Sequence, residues 1–151
     1  MLFHKTFSSV FGIGYLKGGG TFAAIAACSG WYFLFTPGLS PAIWPSVIIT
    51  LAVIFAGVWS STIVEKIWGK DPSRVVIDEV AGMLVSLLFI PVKLKYLIAA
   101  LILFRFFDIV KPVFIRKMEK LPSGWGIMMD DVLSGIYTNL LLSAVVSFNL
   151  F

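Results

Sequence analysis

Five carboxylates stand where carboxylates are expensive. Asp78, Glu79, Asp108, Asp130 and Asp131 lie in or at the ends of long apolar stretches. A charge at such depth has to be paired, metal-bound or turned toward a bundle interior. His4 and Cys28 are the chain's single His and single Cys, so a zinc site of Cys and His ligands and an internal disulfide are both excluded. Hard oxygen donors without soft ligands suit Mg²⁺, which is commonly held by a few carboxylates together with substrate phosphate oxygens. Arg105, Asp108 and Lys111 recur at intervals of three, which puts two cations beside the carboxylates if the helix runs through all three. The chemistry this set suggests is metal-assisted attack of water on a phosphate at headgroup depth. Read more plainly, Arg105 and Lys111 balance Asp108 or touch headgroups.

Other chemistries fail on their residues. The run from Gly14 to Thr21 approaches nucleotide-loop spacing, but Gly20 stands where that loop needs Lys and no strand precedes it, so nucleotide binding is not expected. Gly18-Gly19-Gly20-Thr21 can still offer backbone N–H groups to a phosphate, or act simply as a turn. Pro122-Ser123-Gly124 matches a fragment of the His-nucleophile lipid phosphatases, yet Trp125 follows and no His is within reach; a Ser/His/Asp triad fails for the same reason. Cys28, among Ala and Gly residues, reads as packing.

The elements that position these groups follow from composition. Of 151 residues 59% are apolar and 13% charged, against roughly 45–50% and ~25% in soluble domains. The expectation is one all-α integral membrane domain over residues 1–151. Uncharged stretches at Thr21–Pro41, Ile43–Val64, Val80–Val92, Tyr96–Phe107 (interrupted by Arg105) and Val132–Phe151 predict a bundle of about five transmembrane helices. Breaks are expected at Thr36-Pro37-Gly38, Ser40-Pro41, Gly69–Ser73, Pro91 and Pro112. The third is too short to span unless it also takes in Val75, Val76 and Ile77. Residues Met1–Phe11 lack the apolar core and cleavage site of a signal peptide and read as an interfacial segment.

Threading five helices puts ten basic residues on one side and only Lys93 and Lys95 on the other, which places the N-terminus and the polar site in the cytoplasm and the C-terminus outside. All eight acids share the cytoplasmic side. The net charge of +4 is therefore read as topology, with no nucleic-acid partner. Asp78, Gly82 and Ser86 repeat at four-residue intervals, as do Asp131, Gly135, Asn139 and Ser143, giving small or polar stripes that let membrane helices approach. A Mg²⁺ or phosphate transporter subunit is the alternative, but it would place ionisable groups near the bilayer midplane.

Three blocks, Asp78-Glu79-Val-Ala-Gly82-Met83, Phe104-Arg105-Phe-Phe-Asp108-Ile-Val-Lys111-Pro112-Val-Phe-Ile115-Arg116 and Gly124-Trp-Gly126-Ile127-Met128-Met-Asp130-Asp131-Val-Leu-Ser-Gly135, resemble in order and spacing the phosphatidylglycerophosphatase A family. The resemblance extends weakly to Gly20-Thr21. It implies a Mg²⁺-dependent hydrolase of the bacterial inner membrane that converts phosphatidylglycerophosphate to phosphatidylglycerol and inorganic phosphate. It also implies roles for Asp78, Glu79, Asp108, Asp130 and Asp131 as catalytic or metal-binding residues and for Arg105 and Lys111 at the substrate phosphate. Arg116 and Thr21 join the expected phosphate contacts. Ala23 and Ala24, where the family usually has Gly and Ser, and Gly19, where it has Pro, depart from its pattern.

Overall fold

Apolar runs broken by Gly and Pro become helices of unequal length. A computed structural model of the chain describes residues 1–35, 41–70, 72–112 and 114–150. Among the described residues there are seven α-helices and no strand: α1 (Leu2–Ser8), α2 (Gly19–Leu34), α3 (Ile43–Trp68), α4 (Ile77–Leu87), α5 (Leu94–Val110), α6 (Ile115–Met118) and α7 (Gly124–Ser147). The five longest lie on the five apolar stretches. Of them α3 is long and apolar enough to cross a membrane by itself. Breaks occur at Gly69, whose φ of 90° ends α3, at Pro91 between α4 and α5, and at Pro112 after α5. Thr36, Pro37, Gly38 and Ser40 lie outside the described residues.

Two boundaries differ from expectation. The third helix does not take in Val75 and Val76: the Val76 amide donates to the Ser8 carbonyl at 2.9 Å and the Val75 amide to Pro72. Those amides are committed to the loop and to the end of α1, so α4 starts at Ile77 and is 11 residues long, about 16 Å at 1.5 Å per residue. The last helix starts at Gly124, well before Val132, and so contains Asp130 and Asp131 within its second turn instead of opening on them.

The short α4 is the centre of the molecule. It packs chiefly against α7 and also meets α2, α3 and α5. One apolar cluster joins Trp31, Met83, Leu87, Leu97 and Phe104 from α2, α4 and α5, and a second joins Ile54, Val58, Ala81, Ile127 and Met128 from α3, α4 and α7. A helix buried nearly all round must be apolar nearly all round, and α4 is, except at its first turn and at Ser86, whose hydroxyl is satisfied by the Gly82 carbonyl. The outer surface is also apolar: Trp44 is 75% exposed, and Phe55, Trp59, Ile102 and Leu140 are exposed too. So much uncovered hydrocarbon on several helices marks a surface built to meet something apolar.

Candidate functional site

The α4–α7 contact sets the site because nothing separates the two backbones. A Cβ on Gly82 would stand 2.5 Å from the Asp131 carbonyl oxygen, and one on Gly135 would stand within 2.3 Å of the Gly82 carbonyl. Any larger residue at either position would force the helices apart. Further along, Asn139 Nδ2 donates to the carbonyls of Ser86 (3.1 Å) and Leu88 (2.7 Å). Both glycines of the expected stripes therefore lie in the contact, and the two helices run parallel through it.

This packing brings the first turn of α4 against the second turn of α7. Asp78, Glu79 and Asp131 each offer a carboxylate oxygen within 4.8 Å of the others. The Glu79 amide donates to Asp78 Oδ1 at 3.1 Å, while Glu79 Oε2 is buried with no partner. Carboxylates packed this closely repel one another unless a cation or protons intervene. An orphaned buried carboxylate oxygen in an all-oxygen donor set fits a hard divalent cation such as Mg²⁺. His4 is not part of this group; it lies on α1, where its Nδ1 pairs with Ser60 of α3.

Two cations stand at this end of the bundle, each held by its own acids, and Arg105 reaches the cluster itself. Arg105, in the last turns of α5, makes the expected i,i+3 pair with Asp108 through Nη1, which also lies 3.8 Å from Glu79 Oε1; its Nε is buried and unpartnered. Lys111 does not continue the α5 face as the spacing suggested. It caps the helix in the left-handed conformation at φ 47°, and this turn carries Nζ away from Asp108 to Glu119 (2.6 Å) and Asp130 (2.7 Å). Burial pulls the Lys111 ammonium down, but the hydrogen bonds and charges of Asp130 and Glu119 outweigh it and hold the group above its ordinary range. Lys111 is therefore a fixed cation.

Asp130 and Asp131, though adjacent, serve different neighbours. Asp131 belongs to the carboxylate cluster and Asp130 to Lys111, with Asp130 Oδ1 buried and unpartnered. Asp130 also lines a cleft of about 360 Å³ with Lys70, Arg116, Glu119 and Lys120, so Arg116 stands near Asp130 but outside the three-carboxylate cluster. Thr21 is exposed and its amide donates to Gly18. The glycine before it is the one at the site: a Cβ on Gly20 would meet Glu79 Oε1 at 2.0 Å and Arg105 Nη1 at 3.3 Å. Sequence reasoning missed this role of Gly20 and that of Glu119. The glycine run was the available signal for the first; for Glu119, at the end of α6 among Arg116, Lys117 and Lys120, only the turn at Lys111 reveals the pairing.

Known proteins resemble this chain over most of its length. The family model described as phosphatidylglycerophosphatase A matches residues 6–146. A Bacteroides thetaiotaomicron protein named "Putative phosphatidylinositol-3-phosphatase" is 43% identical over 130 residues, covering 82% of this chain and 80% of its own. Proteins named phosphatidylglycerophosphatase A are 46% identical over 77 residues in Haemophilus influenzae (50% of this chain, 47% of that one) and 31% identical over 123 residues in Escherichia coli (78% and 67%). No solved structure matches. A family match over nearly the whole length, with the three sequence blocks meeting at one end of a helical bundle, establishes that this chain belongs to the phosphatidylglycerophosphatase A family.

Proposed function

We propose that the chain hydrolyses the terminal phosphate of phosphatidylglycerophosphate with Mg²⁺, at the cytoplasmic face of a bacterial inner membrane that its helices cross about five times. The observation that carries this reading is the Asp78, Glu79 and Asp131 cluster with Arg105 against it. Asp78, Glu79 and Asp131 would hold the metal, with Asp108 and Asp130 beside them. Bound there, Mg²⁺ supplies positive charge at the phosphoryl group and a more acidic water.

The chain's own groups do the rest. Arg105, anchored by Asp108, turns its remaining N–H groups toward the phosphoryl oxygens, where charge develops. Lys111, clamped by Glu119 and Asp130, adds a fixed positive charge on the other side of α7. Water forms the new P–O bond as the ester P–O bond breaks. The water's proton passes to Asp130 Oδ1, the unpartnered carboxylate oxygen outside the metal-holding cluster, and from there to the leaving alkoxide.

Phosphate release from purified protein tests the reading, with phosphatidylglycerophosphate, phosphatidylinositol 3-phosphate and phosphatidic acid assayed with Mg²⁺ and in EDTA. The phosphoinositide belongs in the panel because of the name of the Bacteroides relative. Release from phosphatidylglycerophosphate that stops in EDTA and returns with Mg²⁺ is expected; full hydrolysis in excess chelator contradicts the mechanism. For orientation, Ser123→Cys in a Cys28→Ala background should react with impermeant thiol reagent only from the cytoplasmic side. Labelling from the periplasm would sink the topology.

A further inference from the structure

One groove of the molecule is not used by the site but leads to it. Between α2 and α5 lies a depression of about 240 Å³, lined by Ile25, Ser29, Phe33, Leu94, Ile98 and Leu101 among others. Two of its polar groups are engaged: the Ser29 hydroxyl donates to the Ile25 carbonyl at 2.9 Å, and the Cys28 thiol contacts the Leu97 carbonyl at 4.0 Å. The face it presents is hydrocarbon.

Two contacts fix its direction. Gly20 faces Arg105 and Cys28 faces Leu97, so eight residues forward on α2 match eight backward on α5, and the helices run antiparallel in constant register. Gly20 and Arg105 sit at the carboxylate end. Ile25 and Leu101 form the near end of the groove, one turn or so from them, and Phe33 and Leu94 the far end. Anything lying in the groove is aimed at Glu79 and Arg105.

We propose that this groove seats one acyl chain of the lipid substrate, an inference that rests on the lipid phosphatase reading above. The volume is below the roughly 300–1,000 Å³ of pockets for compact ligands, which suits a single chain lying partly open to the bilayer. Lipid tails are as apolar as the groove, so little affinity comes from burial. What the groove supplies is depth: a chain held there fixes how far the headgroup phosphate reaches past Gly20, and misplacement of about 1 Å costs on the order of 100-fold in rate.

The test fills the groove from an exposed position. In mixed micelles, Ser29→Trp should lower kcat on dipalmitoyl phosphatidylglycerophosphate by roughly tenfold or more while leaving dihexanoyl substrate near the wild-type rate, and Ile102→Trp, of equal bulk on the same helix pair but outside the groove, should alter neither. Equal losses on both substrates, or none on either, overturn the proposal. A second measurement is independent of hydrolysis. A lysophosphatidic acid carrying a diazirine in its acyl chain should crosslink mainly to segments 25–33 and 94–101, and Ser29→Trp should suppress those adducts. Adducts spread equally over the exposed face of α3 overturn the groove even where wild-type protein hydrolyses its substrate. Groove-specific adducts on a protein that releases no phosphate would instead sustain the groove and defeat the lipid phosphatase reading.

Discussion

Helix pairs α4–α7 and α2–α5 meet the same end of the molecule in opposite ways. In the first, glycines bring backbone against backbone and leave no space between Gly82 and Gly135. In the second, Gly20 and Cys28 of α2 meet Arg105 and Leu97 of α5, yet the larger side chains beside them leave a groove. The closed contact holds carboxylates whose mutual repulsion would otherwise drive them apart; the open one is tight only at Gly20, against Glu79 and Arg105, and widens from Ile25 and Leu101 outward. Rigidity is placed where like charges must be kept close, and space where a substrate has to enter.

The comparison breaks first at its closed side. Gly82→Leu should cost more than about 4 kcal/mol, because the new side chain meets the Asp131 carbonyl and the Phe104 ring with nowhere to go. Loss of folded protein, judged by thermal unfolding in detergent, and loss of all activity are the expected readouts. A stable, active Gly82→Leu protein would mean the helices are not held by that crossing.

Asp131→Asn separates the site from the scaffold. It removes one charge from a repulsive cluster, so it should lower phosphate release by roughly a thousandfold while the unfolding midpoint holds or rises. A drop in midpoint with activity retained would reverse the assignment.

Arg105→Lys probes the point where the two helix pairs meet. A guanidinium making a forked contact to phosphate loses its second hydrogen bond on change to Lys, whereas one that only balances Asp108 tolerates it. A fall in kcat of about ten- to a thousandfold, about 1.4 to 4 kcal/mol, with a smaller change in KM, is expected. Turnover near wild type would leave Lys111 as the stronger phosphate partner.

The smallest effect lies furthest from the chemistry. Asn139→Ala strips the Ser86 and Leu88 carbonyls of a donor and should destabilise by about 1–3 kcal/mol, with activity per folded molecule unchanged. Lost activity at full stability would show that the far end of the crossing also tunes the site.

Much of this was legible beforehand, for one physical reason: charges inside apolar runs need an explanation, and Asp78, Glu79, Asp108, Asp130 and Asp131 stood out on that ground alone. The glycine stripes were legible because four-residue spacing puts Gly82 and Gly135 on single faces. What was not legible depended on the chain's turns. A run-based boundary stops at a charge, so it missed that Gly124 to Met129 continue the last helix through two buried aspartates. Helical spacing carried Lys111 along α5, where a left-handed cap turns it toward Asp130. Gly20 could be seen as unusual, but only three-dimensional closure reveals that Glu79 occupies the space its side chain would need.

The adjacency of Asp130 and Asp131 has a consequence for how such a chain can vary. Successive helical residues point about 100° apart, so one acid reaches α4 and the next reaches Lys111 only while the count from the Gly124 turn to the Gly135 crossing is preserved. Inserting or deleting a single residue between them would rotate both acids off their targets together, whereas a substitution disturbs one. That twelve-residue stretch behaves like a reading frame: it tolerates changes of letter and forbids changes of length, so length differences between relatives are expected in the loops and never there.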